Sequence, residues 1–461
     1  MPNSFSWVRF IAGTLPGLAL LALLCTRCGY NDDPRIYYEC SGLVLGRAVT
    51  AGWLDAARQN TQLPAIEGRV VFDRQLPYRD FVFEYPPLSL VFFILPRLLA
   101  DSVLDYYRWI QLEMSLAAVG LGWCLWSLAR RLGGDLGRQP LAAGLAWSAF
   151  ISIIGPTLVR RYDVLPTLAA AGALLAILSR RSLLCGILLG LGAALKLWPA
   201  VLGPLFVVAL ILRHDAAGIV RLIVGAMVLP VLSHAVLIPE LGSRVFAYLN
   251  FQQTRGIEIE SLWASLILLV SQLRGLGVWT AIESGAVHLR TSGWADLAVP
   301  ISYVSFGFLY GVAMLAAWSG SRRTPIDSIE RDVRLTSAYV ASITVMLVTT
   351  KLLSMQFMIW IFPAVMVLPG RPGRTLLLLY LLALALTVAA FKYMVYFNLT
   401  PLWPHTILLI GRNAILLAIA VIAINRSLRS PTYHDDGLAI APTHEPSRTH
   451  SHRPQPTPAA R

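Results

Sequence analysis

Residues 106–129 read YYRWIQLEMSLAAVGLGWCLWSLA, and Arg130-Arg131 follow directly. Only Arg108 and Glu113 carry charge within that run. A helix that crosses a bilayer needs about 20 largely apolar residues. Loops rich in Lys and Arg stay on the cytoplasmic side. The run therefore reads as a membrane span whose C-terminal end faces the cytoplasm.

The same pattern recurs along the chain. Of 461 residues, 56% are hydrophobic and 14% charged, against about 25% charged in an ordinary soluble domain. Mean hydropathy is +0.63. This composition excludes a disordered chain and argues against a soluble enzyme. Spans are expected near 10–28, 106–129, 141–159, 163–179, 182–195, 199–212, 217–237, 298–318, 335–350, 354–369, 374–391 and 405–424. The first lacks a small-x-small cleavage site and reads as a retained helix. The apolar segments 86–100 and 262–272 are short, and counting either as a crossing inverts the arginine pattern downstream. They read as interfacial or re-entrant elements of the outer face.

This predicts an all-α polytopic protein with about twelve transmembrane helices. Residues 1–425 form one membrane domain, with a first outer loop at 29–103 carrying interfacial helices and a second at 238–299. Residues 426–461, rich in Pro, Thr, His and Ser, read as a disordered cytoplasmic tail. The net charge of +13 marks topology and not nucleic-acid binding, because the arginines sit in short clusters between apolar runs. Arg160 and Arg161 break the rule by falling outside, where an unexplained charge is a functional candidate. Of the 38 basic residues only Lys196, Lys351 and Lys392 are lysines, and all three map to the outer face. The five cysteines, including the Cys25-x-x-Cys28 pair, read as small apolar residues.

Two stretches carry chemistry. The first outer loop opens with Asp32-Asp33-Pro34 at the membrane surface. A carboxylate close to hydrocarbon has a raised pKa and suits a general base, although taken alone the pair reads as an Asx turn ahead of Pro34. The pair is also a weak signal for a divalent ion. The loop ends in PYRDFVFEYPPL, residues 77–88. Its alternating aromatics and charges fit an interfacial belt or a platform for a sugar or lipid head group, and composition leaves both open.

That last stretch resembles the signature of glycosyltransferase family 87. Further similar pieces follow in the family's order: RYDVLP at 161–166, ALKLWP at 194–199, RGIEIESLWASL at 255–266, TKLLSMQFMIWIFP at 350–363 and GRNAILL at 411–417. The resemblance implies a GT-C fold and an inverting transfer of a sugar, often mannose. The donor would be a polyprenyl-phosphate carrier, and the acceptor a lipid or glycan on the extracytoplasmic face. It implies a multi-pass plasma-membrane enzyme of a bacterial cell envelope, with membrane lipids around it and no metal or other cofactor. The family's catalytic aspartate stands in an Asp-x-x-x-Tyr context, which Asp33 and Tyr37 match. The gap from Tyr37 to Pro77 is longer than usual, through extra residues at 48–70 that include Asp55. Asp33 is therefore the first candidate for the base, Asp32 the second and Asp55 the third.

Departing phosphate charge calls for Lys or Arg, and Lys196, Lys351, Arg161 and Arg160 are the candidates. Asp163 is expected to pair with Arg161 and orient it. Tyr37, Tyr78, Asp80, Glu84, Tyr85, Glu258, Glu260, Gln356 and His405 are the candidates for binding sugar or acceptor. Arg412, inside the last span, fits either a packing counter-charge or a phosphate contact. The rival reading is a polytopic transporter or lipid-linked-sugar flippase. Against it, the chain has no internal repeat of the kind many transporters carry.

Overall fold

The computed structural model describes residues 5–26, 32–50, 70–72, 74–100, 102–133, 139–283, 286–290, 293–325, 328–396 and 402–429. Each apolar run becomes helix, because a backbone among apolar neighbours must satisfy its own polar groups. In chain order the helices begin with α1 (Phe5–Thr26) and α2 (Asp32–Leu45). The short strands β1 (Ala48–Thr50) and β2 (Val70–Phe72) pair antiparallel. Then come α3 (Ser89–Leu99), α4 (Val103–Arg131), α5 (Pro140–Leu158), α6 (Val164–Leu178) and α7 (Ser182–Leu195). A 3₁₀ turn at Trp198–Leu202 leads into α8 (Gly203–Ile211) and α9 (Ala216–Ala235). The short α10 (Ile238–Leu241), α11 (Ala247–Thr254) and α12 (Leu262–Leu273) follow. A hairpin of β3 (Trp279–Glu283) and β4 (Ala286–Arg290) precedes α13 (Trp294–Arg322) and α14 (Ile329–Thr349). A 3₁₀ turn at Met355–Trp360, α15 (Phe362–Val367), α16 (Gly370–Tyr396) and α17 (Trp403–Leu428) complete the described chain.

Six of these helices, α1, α4, α9, α13, α16 and α17, are long and apolar enough to cross a membrane. The protein is thus a predominantly helical membrane protein. The other apolar helices are shorter, apart from α14, which is 21 residues long but more polar. The run at 199–212 breaks into a 3₁₀ turn and a nine-residue helix. The run at 354–369 breaks into a 3₁₀ turn and a six-residue helix. Proline explains both breaks, since it lacks an N–H and is tolerated only in a first helical turn: Pro199 and Pro204 interrupt one run and Pro363 the other. Both segments read as interfacial, 86–100 and 262–272, are helices α3 and α12. The last helix runs past residue 425 to Leu428.

Helix starts are fixed by side chains that accept from orphan N–H groups. Ser102 takes the N–H of Asp105, Asp215 that of Gly218, Ser261 that of Ala264 and Ser328 that of Arg331. Where helices touch closely they do so through glycine, as expected where packing rather than hydrophobicity holds helices together. A Cβ on Gly225 of α9 would lie 2.6 Å from the Leu183 carbonyl of α7. One on Gly144 of α5 would lie 2.7 Å from Gly13 of α1.

Helix α14 is buried along nearly its whole length. Its hydroxyls fold back on the helix: Thr336, Ser342, Thr344 and Thr349 each donate to a carbonyl four residues earlier at 2.7–2.8 Å. No water is then needed to satisfy them.

At one end of the bundle an aromatic nest ties the pieces together. Tyr37 of α2 stacks on Phe93 of α3 at 4.1 Å, and Tyr85 meets Tyr162 edge-on at 5.0 Å. Tyr78 sits in the left-handed region at φ 66°, which is unusual for a bulky residue. Its hydroxyl donates to the Tyr85 carbonyl at 2.6 Å, and its N–H donates to the Phe81 carbonyl at 3.0 Å, so both flanks of the turn hold it there.

Candidate active site

Asp33 lies in the first turn of α2. The α5–α6 turn carries Arg160, Arg161 and Asp163, and Lys196 ends α7. These chain-distant elements meet beside the aromatic nest, and their charges pair in a way the sequence did not predict. Arg161 forms its ion pair with Asp33, not with Asp163. Asp163, almost completely buried, takes the Lys196 ammonium at 2.8 Å and the Trp360 indole N–H at 2.9 Å. Trp360 in turn stacks on Trp198 at 4.8 Å. The Lys196 ammonium lies 5.1 Å from the Phe357 ring centre and 5.3 Å from that of Tyr162, within cation–π range. A lysine held by one carboxylate and walled by rings is fixed in place.

Two cavities adjoin this cluster. The first, of about 290 Å³, is lined by Asp33, Glu84, Tyr85, Arg161, Lys196, Trp198, Tyr248, Gln252, Arg255, Gln356 and Trp360 among others. The second, of about 520 Å³, is lined by Arg160, Arg161, Glu258, Glu260, Gln356 and Lys392, with Ile153, Val388, Phe391 and Met394 as apolar walls. Arg161, Ala286, Ser354 and Gln356 line both. Arg161 is therefore a common wall, with Asp33 on one side and a chamber of mixed charge with apolar walls on the other.

Burial, only partly opposed by Arg161, pushes the Asp33 carboxyl up to about 6; Glu84 adds to the rise. Burial likewise raises Glu260 to about 7 against the pull of Arg412. Both acids thus change charge near neutrality, as acid–base groups do.

The remaining candidates divide cleanly. Glu84 and Tyr85 line the first cavity, Glu258 and Glu260 the second, and Gln356 both. Glu258 accepts a hydrogen bond from the Ser354 hydroxyl. Five candidates do not line these cavities. Tyr37 is packed in the aromatic nest and Tyr78 holds the turn. Asp80 pairs with Arg79 at 2.9 Å and takes the Leu76 N–H at 2.8 Å. Lys351 donates to the carbonyls of Gln253 and Arg255 at 2.7 and 2.5 Å, which anchors the loop after α11. His405 is buried inside α17 against Tyr393.

Arg412 proves to be a counter-charge. It donates to the Glu260 backbone carbonyl and lies 3.4 Å from its carboxylate. Asp32 opens α2, and its side chain and all of Asp55 lie outside the described residues. Sequence reasoning passed over Trp198, Tyr248, Gln252, Arg255 and Trp360 as site residues. Trp198, Arg255 and Trp360 stand inside the quoted motifs, so the signal was present.

The sequence pattern of glycosyltransferase family 87 matches residues 83–350, a stretch that holds Glu84, Arg161, Lys196 and Glu258. Asp33 precedes the matched stretch, while Lys351, Gln356 and His405 follow it. No curated protein matches the chain. The match covers more than half of the 461 residues and agrees with the order of the motifs that meet at the two cavities. The chain belongs to glycosyltransferase family 87 and is a membrane enzyme that transfers glycosyl groups from a donor to an acceptor.

Proposed function

We propose that the enzyme transfers a sugar, mannose in the first instance, from a polyprenyl-phosphate carrier to a lipid or glycan acceptor on the extracytoplasmic face of the plasma membrane. The shorter α5, α6, α7 and the segments 198–211 and 355–367, together with the 21-residue but more polar α14, would cross along with the six long apolar helices, making twelve crossings. The observation that carries the reading is the Asp33–Arg161 ion pair at the common wall of the two cavities.

In this reading the acceptor hydroxyl enters the first cavity and gives its proton to the Asp33 carboxylate. Its oxygen bonds to the anomeric carbon with inversion. The bond from that carbon to the phosphate oxygen breaks, and its electron pair leaves with the polyprenyl phosphate. Arg160, Arg161 and Lys392 border the second cavity, where the growing phosphate charge would sit, and cationic donors stabilise such charge. The apolar walls from Ile153, Val388, Phe391 and Met394 suit the start of a prenyl chain. An acceptor chamber and a leaving-group chamber on either side of one wall match the in-line geometry of a single displacement.

The test is to incubate purified protein with labelled polyprenyl-phospho-mannose and a membrane lipid extract. Wild type is expected to give a labelled product. Asp33→Asn is expected to insert and fold but to lose transfer by roughly 10²–10⁴-fold, the usual contribution of a general base. Full activity in that variant would reject Asp33 as the base.

A further inference from the structure

At the other end of α6 and α14 lies a third cavity, of about 510 Å³, unrelated to the transfer chemistry. Asp163 precedes α6 and Ser179 follows it, and only Ser179 lines this cavity. Likewise Asp332, in the first turn of α14, lines it, while Thr350 beyond the last turn lines the first cavity.

The charges here are out of balance among the described residues. Asp332 is the acid of the cluster, and it is engaged twice: Arg131 Nε lies 3.0 Å and Arg213 Nη2 3.8 Å from its two oxygens. Arg130 also lines the cavity; among the described residues it pairs with no acid, and its guanidinium lies over the Trp126 ring at 5.1 Å. Behind the wall Arg331 is buried and the side chain of the half-buried Arg213 is largely covered. Arg213 Nε and Arg331 Nη1 are enclosed without a hydrogen-bond partner. Arg180, Arg331 and Arg131 all press on the Arg213 charge.

Topology marking asks only that arginines stay on one side of the membrane, not that their N–H groups be enclosed. Like charges drawn together and partly dehydrated are costly without an anion among them. Guanidinium donors with spare N–H groups around a polar chamber match a phosphate group, which accepts several charge-assisted hydrogen bonds at once.

We propose that this pocket is a binding site for a phosphate-bearing anion, drawn either from the head group of an anionic phospholipid or from a soluble phosphate compound. It stands independently of the transfer reading. The test uses the full chain in nanodiscs of phosphatidylcholine. In one arm phosphatidylglycerol is added to the lipid; in the other, inorganic pyrophosphate is titrated into the buffer. Thermal unfolding and native mass spectrometry read the binding.

Saturable stabilisation in either arm is expected, and the arm that responds names the source. Arg130→Gln and Arg131→Gln alter exposed residues at the end of α4, so folding should survive. Each is expected to weaken the effect about tenfold, as losing one ionic hydrogen bond does, while sugar transfer in phosphatidylcholine is unchanged. Absence of stabilisation in both arms overturns the proposal. So does stabilisation that both variants retain in full.

Discussion

Asp33 fixes the pH behaviour of the proposed reaction. Its carboxyl, held at about 6 by burial, must be ionised to take a proton. Transfer should therefore rise about tenfold per pH unit up to about pH 6 and level off above it. Stability should move the other way. The folded state binds this proton more tightly than the unfolded one, whose carboxyl titrates near 3.8. The stability it contributes is complete below pH 3.8 and is lost as pH rises through about 6. A kcat/KM profile measured from pH 4.5 to 8 with no limb near 6 would count against Asp33 as the base.

At this scale the sequence was only partly legible. The motifs named Asp33, Arg161, Lys196 and Asp163, because acids and bases stand out in an apolar chain. They could not name the pairing. Asp163 sits two residues from Arg161 yet reaches Lys196 and Trp360, since partner choice depends on how α5, α6 and α7 close on each other. Lys351 shows the same limit: a lone outer lysine resembles a phosphate ligand until the carbonyls of Gln253 and Arg255 are placed beside it.

Lys351 belongs equally to the scale of elements, because it clamps the strap between α11 and α12. Replacing it with Met strands two carbonyls, a loss of about 1.5–3 kcal/mol for bonds to a charged donor. Trypsin should then cut after Arg255 markedly faster in K351M than in wild type, and transfer should weaken as Arg255 and Gln252 leave the first cavity. Equal cleavage rates would show that the clamp is dispensable. Helix contacts give a second test. Gly225→Leu forces a side chain into the Leu183 backbone, and overpacking of this kind costs about 1–3 kcal/mol. Its unfolding temperature in detergent should fall, whereas Gly307→Leu, where nothing lies within 4 Å, should leave it near wild type.

Helices as units were the most legible level. Apolar runs located nearly all of them, α3 and α12 included. Apolar runs at residues 199–212 and 354–369 are helical as well, although prolines divide each into a 3₁₀ turn and a short helix.

Across the whole molecule, the charge pattern sets an orientation that can be measured. The proposed topology puts Arg79 outside and His214 inside, and both are exposed. In a background without native cysteines, a membrane-impermeant maleimide applied to intact cells should label Arg79→Cys and spare His214→Cys until the membrane is opened. The reverse pattern would place the two cavities on the cytoplasmic side and overturn the donor reading. The predominantly helical membrane architecture was legible because hydropathy acts additively along the chain. The meeting of Asp33 with Arg161 was not, because it depends on contacts between distant segments.

One element joins the two ends. Helix α14 is 21 residues of buried rod, about 32 Å at the usual rise per residue. Asp332 grips the arginine pocket at its foot, and Thr349, at its head, accepts the Trp263 indole N–H through its carbonyl at 2.8 Å. Its hydroxyls are turned inward on its own backbone, and among the described residues its polar ties to other elements fall near its two ends: Asp332 to Arg131 and Arg334 to the Leu428 carbonyl at the foot, Thr349 to Trp263 at the head. Pinned at both ends, such a rod acts as a spacer. It keeps the arginine pocket and the substrate cavities a helix length apart, so that an anion held at the foot leaves the transfer site at the head undisturbed.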